Sequence, residues 1–148
     1  MKNILLLLLT FTLITSCNQK GKTKEEKIRE NIEAKLKPTF KDPASYEFVS
    51  MSIKKTFSVA ERKQNVNEEQ LENVRKLNEQ LPSEDLLNQI ETEFGFLKRQ
   101  TDDNKDAVYY VDFVAKGTNS FGGIIQSNYS ATVLNDENYT VVGLKSMD

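Results

Sequence analysis

The chain has 148 residues, with 20 basic and 22 acidic side chains, and it contains no histidine, no tryptophan and a single cysteine. Those absences exclude a His-dependent catalytic triad, a Cys nucleophile with a His base and an ordinary zinc site. The near-neutral balance argues against nucleic acid as a partner.

The first element is an apolar run. From Ile4 to Ile14 only Thr10 and Thr12 are polar, giving a run of about eleven residues where a membrane-spanning helix needs about twenty. Lys2 before the run and the small residues Thr15 and Ser16 after it give the layout of a secretory signal peptide, absent from the mature chain. Ile14-Thr15-Ser16-Cys17 resembles the bacterial lipobox. The resemblance implies cleavage between Ser16 and Cys17, acylation of the Cys17 thiol, and a lipid bilayer as partner. The alternative is an ordinary secreted protein with a free thiol. Lipidation suits the redox chemistry, because a lone cysteine in an oxidising compartment has no internal disulfide partner. Stable attachment takes more than one acyl chain, as the lipoprotein resemblance implies. The expected address is the bacterial cell envelope, with the outer membrane facing the periplasm as first choice.

Removing residues 1–16 from 148 leaves 132, enough for one domain with a real core. The expected division is a leader over 1–16, a lipidated cysteine and tether over 17–23, and a single domain over 24–148. The tether region and first helix are basic, with Lys20, Lys22 and Lys24 near the attachment point. Such cations gain about 1 kcal/mol each beside an anionic leaflet; a solvated leader is the alternative reading.

Thr23-Lys24-Glu25-Glu26 fits a T-x-x-E capping box, and Ile28, Ile32 and Leu36 recur every four residues before Pro38, so a helix is predicted over 24–37. Asp42-Pro43 reads as a second helical start of about one turn. In "EFVSMSIKKTF" the alternation places Val49, Met51, Ile53 and Phe57 on one face of a half-buried strand. Ser58 with Glu61 is another capping box. Leu71, Val74, Leu77 and Leu81 then form a helical stripe, Pro82 interrupts it, and Leu87, Ile90, Phe94 and Leu97 resume it after Ser83. A helical hairpin or a kinked helix is therefore predicted over 59–99.

Three strand-like segments follow, over 107–116, 123–134 and 139–144, separated by "GTNSFGG" and "NDEN". Short loops between them imply an antiparallel meander. The order predicts an α+β fold with an N-terminal helix, one strand, the helical stretch and a three-stranded meander, the helices lying on one face of the sheet.

Few residues gather into candidate chemistry. Asp102, Asn104 and Asp106 have the 1-3-5 spacing of a calcium loop, but Ala107 and Phe113 stand where such a loop needs Gly and Glu. Glu91 and Glu93 are paired carboxylates whose two-residue spacing on a helix points them to different faces. No G-x-S-x-G, P-loop or dinucleotide fingerprint is present, so no metal and no cofactor are expected. The five tyrosines, Tyr46, Tyr109, Tyr110, Tyr129 and Tyr139, suit cross-strand packing.

The candidate partner-binding residues are Asn119, Phe121, Gly122 and Gly123 between two predicted strands. Paired glycines admit close backbone approach, and Phe121 beside them suits an exposed anchor; a hairpin turn with Phe121 folded over the sheet edge is the preferred reading of the two. The Leu71 to Leu81 stripe is a second candidate surface, although packing on the protein's own sheet is the preferred reading.

"LKPTFKDPASYEF" and "GTNSFGGIIQSNY" together resemble small bacterial envelope proteins that pair a KDP-x-S-x-x-F segment with an N-x-FGG hairpin. Lys41, Asp42, Pro43, Ser45 and Phe48 carry the first segment, and Asn119, Phe121, Gly122 and Gly123 the second. The resemblance implies a fold and an envelope address and no activity. The leading expectation is a non-enzymatic lipoprotein that binds an unidentified envelope protein or peptide, of immunity, inhibitor or assembly-factor type. The alternative is a hydrolase that uses carboxylates or a Ser and Lys pair on an envelope polymer.

Overall fold

The computed structural model describes residues 21–147, so the leader, Ser16 and Cys17 lie outside the described residues. Helix α1, Lys24–Leu36, opens on the expected capping box: Thr23 Oγ1 accepts from the Glu26 amide at 3.2 Å, and the Glu26 carboxylate accepts from the Thr23 amide at 2.7 Å. Pro38 ends it in a 3₁₀ turn, and Asp42 caps a second such turn, Pro43–Ser45, by accepting from the Ala44 amide. The four-residue spacing of Ile28, Ile32 and Leu36 aligns them on one stripe, and all three are buried.

Four strands, β1 Glu47–Ser58, β2 Asp106–Thr118, β3 Ile124–Leu134 and β4 Val141–Ser146, form an antiparallel sheet in the order β1-β2-β3-β4. The α+β class and the meander are thus as expected, with β1 added at its edge. Tyr109, Val111, Phe113 and Ala115 of β2 pack with Ala131 and Val133 of β3 beneath the α1 stripe. Across the ladder Phe113 and Tyr129 stack with ring centroids 5.2 Å apart.

The alternation read for β1 does not hold along its length. Register shifts after Phe48 and after Ile53 leave Val49 and Lys54 as the extra residues, and each shift inverts the parity that follows. Phe48, Met51 and Ile53 therefore face α1, Val49 is exposed, and Phe57 lies on the opposite face against Val108.

The helices also occupy both faces of the sheet rather than one. Three helices follow β1: α2 Val59–Asn65, α3 Glu68–Gln80 and α4 Glu84–Lys98. The expected kinked helix or hairpin is instead a short helix and then the α3–α4 hairpin, because Asn67 caps α3 by accepting from the Gln70 amide at 3.0 Å. Val59, Val66, Phe96 and Leu97 pack on Val108, Leu134 and Val142, across the sheet from α1. The physical reason is the start of β2, where Ala107, Val108, Tyr109 and Tyr110 make both faces apolar, so each face needs a cover. Toward the other end the second face stays open and polar, with Ser52, Asp112, Ser130 and Lys145 in register across the four strands.

Candidate functional site

The β2–β3 connection gathers all four residues expected from the sequence. The Asn119 amide donates to the Gly123 carbonyl at 2.9 Å, and the Gly122 amide donates to the Asn119 carbonyl at 3.1 Å. From inside the turn, Asn119 Oδ1 accepts from the Phe121 and Gly123 amides, both at 2.9 Å. Gly122 sits at φ +79°, in the left-handed region where a Cβ is costly. The carboxamide cross-brace and the glycine shape a turn with the Phe121 side chain outside it. Phe121 is 96% exposed, not folded over the sheet edge.

Two more apolar side chains adjoin it. Ile124 is 76% and Ile125 49% exposed. They pair with Thr118 and Gly117, and successive strand residues point to opposite faces, so the two isoleucines bracket the strand. Sequence reasoning named the turn and missed these two; their place just after paired glycines, at the start of β3 and ahead of its core residues, was the available signal.

The tip is held from below by the segment carrying the other half of the sequence resemblance. The Thr118 amide donates to Ser45 Oγ at 2.9 Å, and the Phe40 ring lies where a Cβ on Gly117 would be. Phe40 meets Tyr46 edge to face, with centroids 5.3 Å apart. The Tyr46 hydroxyl is buried with no hydrogen-bond partner among the described residues, and burial, aided by the Glu33 charge, pushes its pKa up to about 12.

The opposite end of the sheet receives the chain's N-terminal side. Lys24 Nζ lies 4.8 Å from the Tyr109 ring centroid, Lys27 lies over Tyr139, and Lys22 is ion-paired with Glu30 at 2.7 Å. Tyr109 and Thr118 are nine residues apart along β2, or about 30 Å at 3.3 Å per residue. The tip therefore projects from the end of the sheet remote from where α1 begins.

The leucine stripe splits. Leu71 is buried, but Leu77 and Leu81 are 46% and 69% exposed, because α3 packs mainly on α4 and not on the sheet as expected. The paired carboxylates separate as their spacing requires. Glu91 accepts from Arg75 at the surface, while Glu93, fully buried, accepts from Arg62 Nε at 2.5 Å. Burial alone would lower the Arg62 pKa, but the hydrogen bond and charge of Glu93, with Tyr110, raise it. Asp102 closes a local turn by accepting from the Asn104 amide at 3.0 Å. Among the described residues no group of three or more acidic or thiol side chains is placed to hold a metal ion, and no helix is long and apolar enough to cross a membrane.

In comparison with known proteins, no family model, no curated protein and no solved structure matches the chain.

Proposed function

We propose that the chain is a non-enzymatic lipoprotein of the bacterial envelope, anchored through acylated Cys17, that binds a protein or peptide through the β2–β3 tip. The reading covers a protein of immunity, inhibitor or assembly-factor type. The observation that carries the reading is Phe121: a phenyl ring 96% exposed on a turn braced by Asn119. A large aromatic displayed on a pre-ordered turn loses little conformational freedom when it docks, and such residues anchor interfaces.

The location of the tip supports the same reading. With the anchor joined to the α1 end, Phe121 is held away from the attachment membrane and toward the space where a partner would be met. A membrane-inserting loop would project from the anchored end instead. The basic residues Lys22 and Lys24 at that end suit a lipid surface.

The test uses the mature lipidated protein in detergent, crosslinked to its envelope neighbours. Phe121→Ala is expected to abolish the specific adduct while circular dichroism stays unchanged; an undiminished adduct would discard the tip as the contact. Cys17→Ser is expected to leave the protein in the soluble fraction, and intact membrane association would discard the anchor.

A further inference from the structure

Strand β3 is paired unequally on its two sides. With β2 it pairs from Ile124 to Leu134, but with β4 only from Tyr129 to Val133, and beyond that ladder the Met147 amide donates to the Asn128 carbonyl at 2.8 Å. Among the described residues, no strand covers Ile124–Ser127 on the β4 side. We propose that this segment accepts an extended, uncharged peptide of a partner protein as an added β-strand, which rests on the reading of the tip as the contact surface and specifies how it binds.

The backbone there is directed outward. The Asn119–Gly123 bond is a rung between β2 and β3, so alternation puts the next rungs at Gly117–Ile125 and Ala115–Ser127. Ile124 and Gln126, of the same parity as Asn128, present their N–H and C=O groups to the open side. An added strand would satisfy them, and that is the source of affinity in strand addition.

The other long edge is defended and this one is not. The free side of β1 carries two bulges and the charges of Glu47, Lys54 and Lys55, devices that keep foreign strands away. Gly122–Tyr129 has no charged residue, no proline and no register shift against β2. An uncharged edge selects an uncharged occupant.

Shape and size favour a peptide over a second copy of this chain. Ile124 and Ile125 lie on opposite faces, so no flat apolar patch forms. An extended segment with side chains alternating between faces meets both. The open edge is four residues long, about 13 Å at 3.3 Å per residue, and across a sheet layer roughly 10 Å thick it presents about 130 Å², far short of the roughly 800 Å² per partner of a stable protein pair.

The mature lipidated protein, solubilised in detergent, is to be panned against a phage-displayed random heptapeptide library. The expected yield is uncharged sequences of β-branched and aromatic residues that shift the Ile124 and Gln126 amide resonances. Gln126→Pro removes an outward donor without touching the β2 ladder and is expected to weaken such peptides about tenfold, whereas Gln126→Ala binds as wild type. N-methylation of alternate residues of the selected peptide is expected to abolish binding even if the proline variant does not fold. Failure to enrich any peptide, equal binding by Gln126→Pro, tolerance of N-methylation, or self-association that Gln126→Pro abolishes would each overturn the proposal. An envelope adduct lost in Phe121→Ala but kept in Gln126→Pro would leave the tip as contact and remove strand addition; the reverse pattern would keep strand addition and remove Phe121.

Discussion

Arg62 and Glu93 meet at 2.5 Å between α2 and α4, with Glu93 wholly withdrawn from solvent and its second carboxylate oxygen without a hydrogen-bond partner among the described residues. The Arg62 guanidinium also donates to the Tyr110 hydroxyl at 3.1 Å and lies near the Phe57 ring, so one cation ties α2 to α4 and to the sheet. Removing one partner of such a pair strands a buried charge. Glu93→Gln is expected to cost about 3–5 kcal/mol in urea unfolding, while Arg62→Met with Glu93→Leu recovers most of it. A loss no larger than the 1 kcal/mol or so typical of exposed pairs, measured beside Arg75→Ala at the surface pair with Glu91, would show that the pair does not hold the helices.

Gly117 is required by the close approach of Phe40. A Cβ there would collide with the ring, so Gly117→Ala is expected to destabilise the fold by about 1–3 kcal/mol. Because the two side chains share one contact, adding Phe40→Leu should return part of that loss, and strict additivity of the two effects in thermal unfolding would count against the packing described.

Much of this architecture can be read from the residues, and the misreadings have specific physical causes. The capping boxes at Thr23 and Ser58, the Ile28-Ile32-Leu36 stripe and the alternation of Tyr109 to Ala115 are local signals, and each element stands where they put it. Bulges carry no sequence mark in "EFVSMSIKKTF", so the face of Phe57 was illegible. The apolar doublets at the start of β2 concealed the second face behind the first. Glu93 lies three residues after Ile90 and four before Leu97, in line with the apolar stripe of α4, a hint that it is buried; its partner on α2 is visible only in three dimensions. At the tip, Asn119 and the glycines were legible as turn chemistry, whereas the exposure of Ile124 and Ile125 depends on where β4 ends.

Tyr46 and Tyr109 are both pushed up to about 12 by burial, from an ordinary value of 10.0. A phenol whose folded pKa exceeds its unfolded value stabilises the fold fully below the unfolded value, and that contribution is lost as pH rises through the folded one. Stability is therefore expected to fall between about pH 10 and 12. Tyr46 and Tyr109 should ionise late in an ultraviolet titration, and their ionisation near 10 would contradict the burial.

The Asn119 carboxamide satisfies two amides of the turn. Asn119→Ala is expected to cost about 1 kcal/mol and to loosen the tip, seen as faster hydrogen exchange at Phe121 and Gly123. Unchanged exchange at both amides would mean that the strands alone order the turn.

The most direct measurement places a photo-crosslinking amino acid at position 121 in intact cells, with the exposed position 81 just after α3 as comparison. The account predicts a discrete protein adduct from position 121 that position 81 does not give. Adducts only to lipid, or an identical set from both positions, would contradict it.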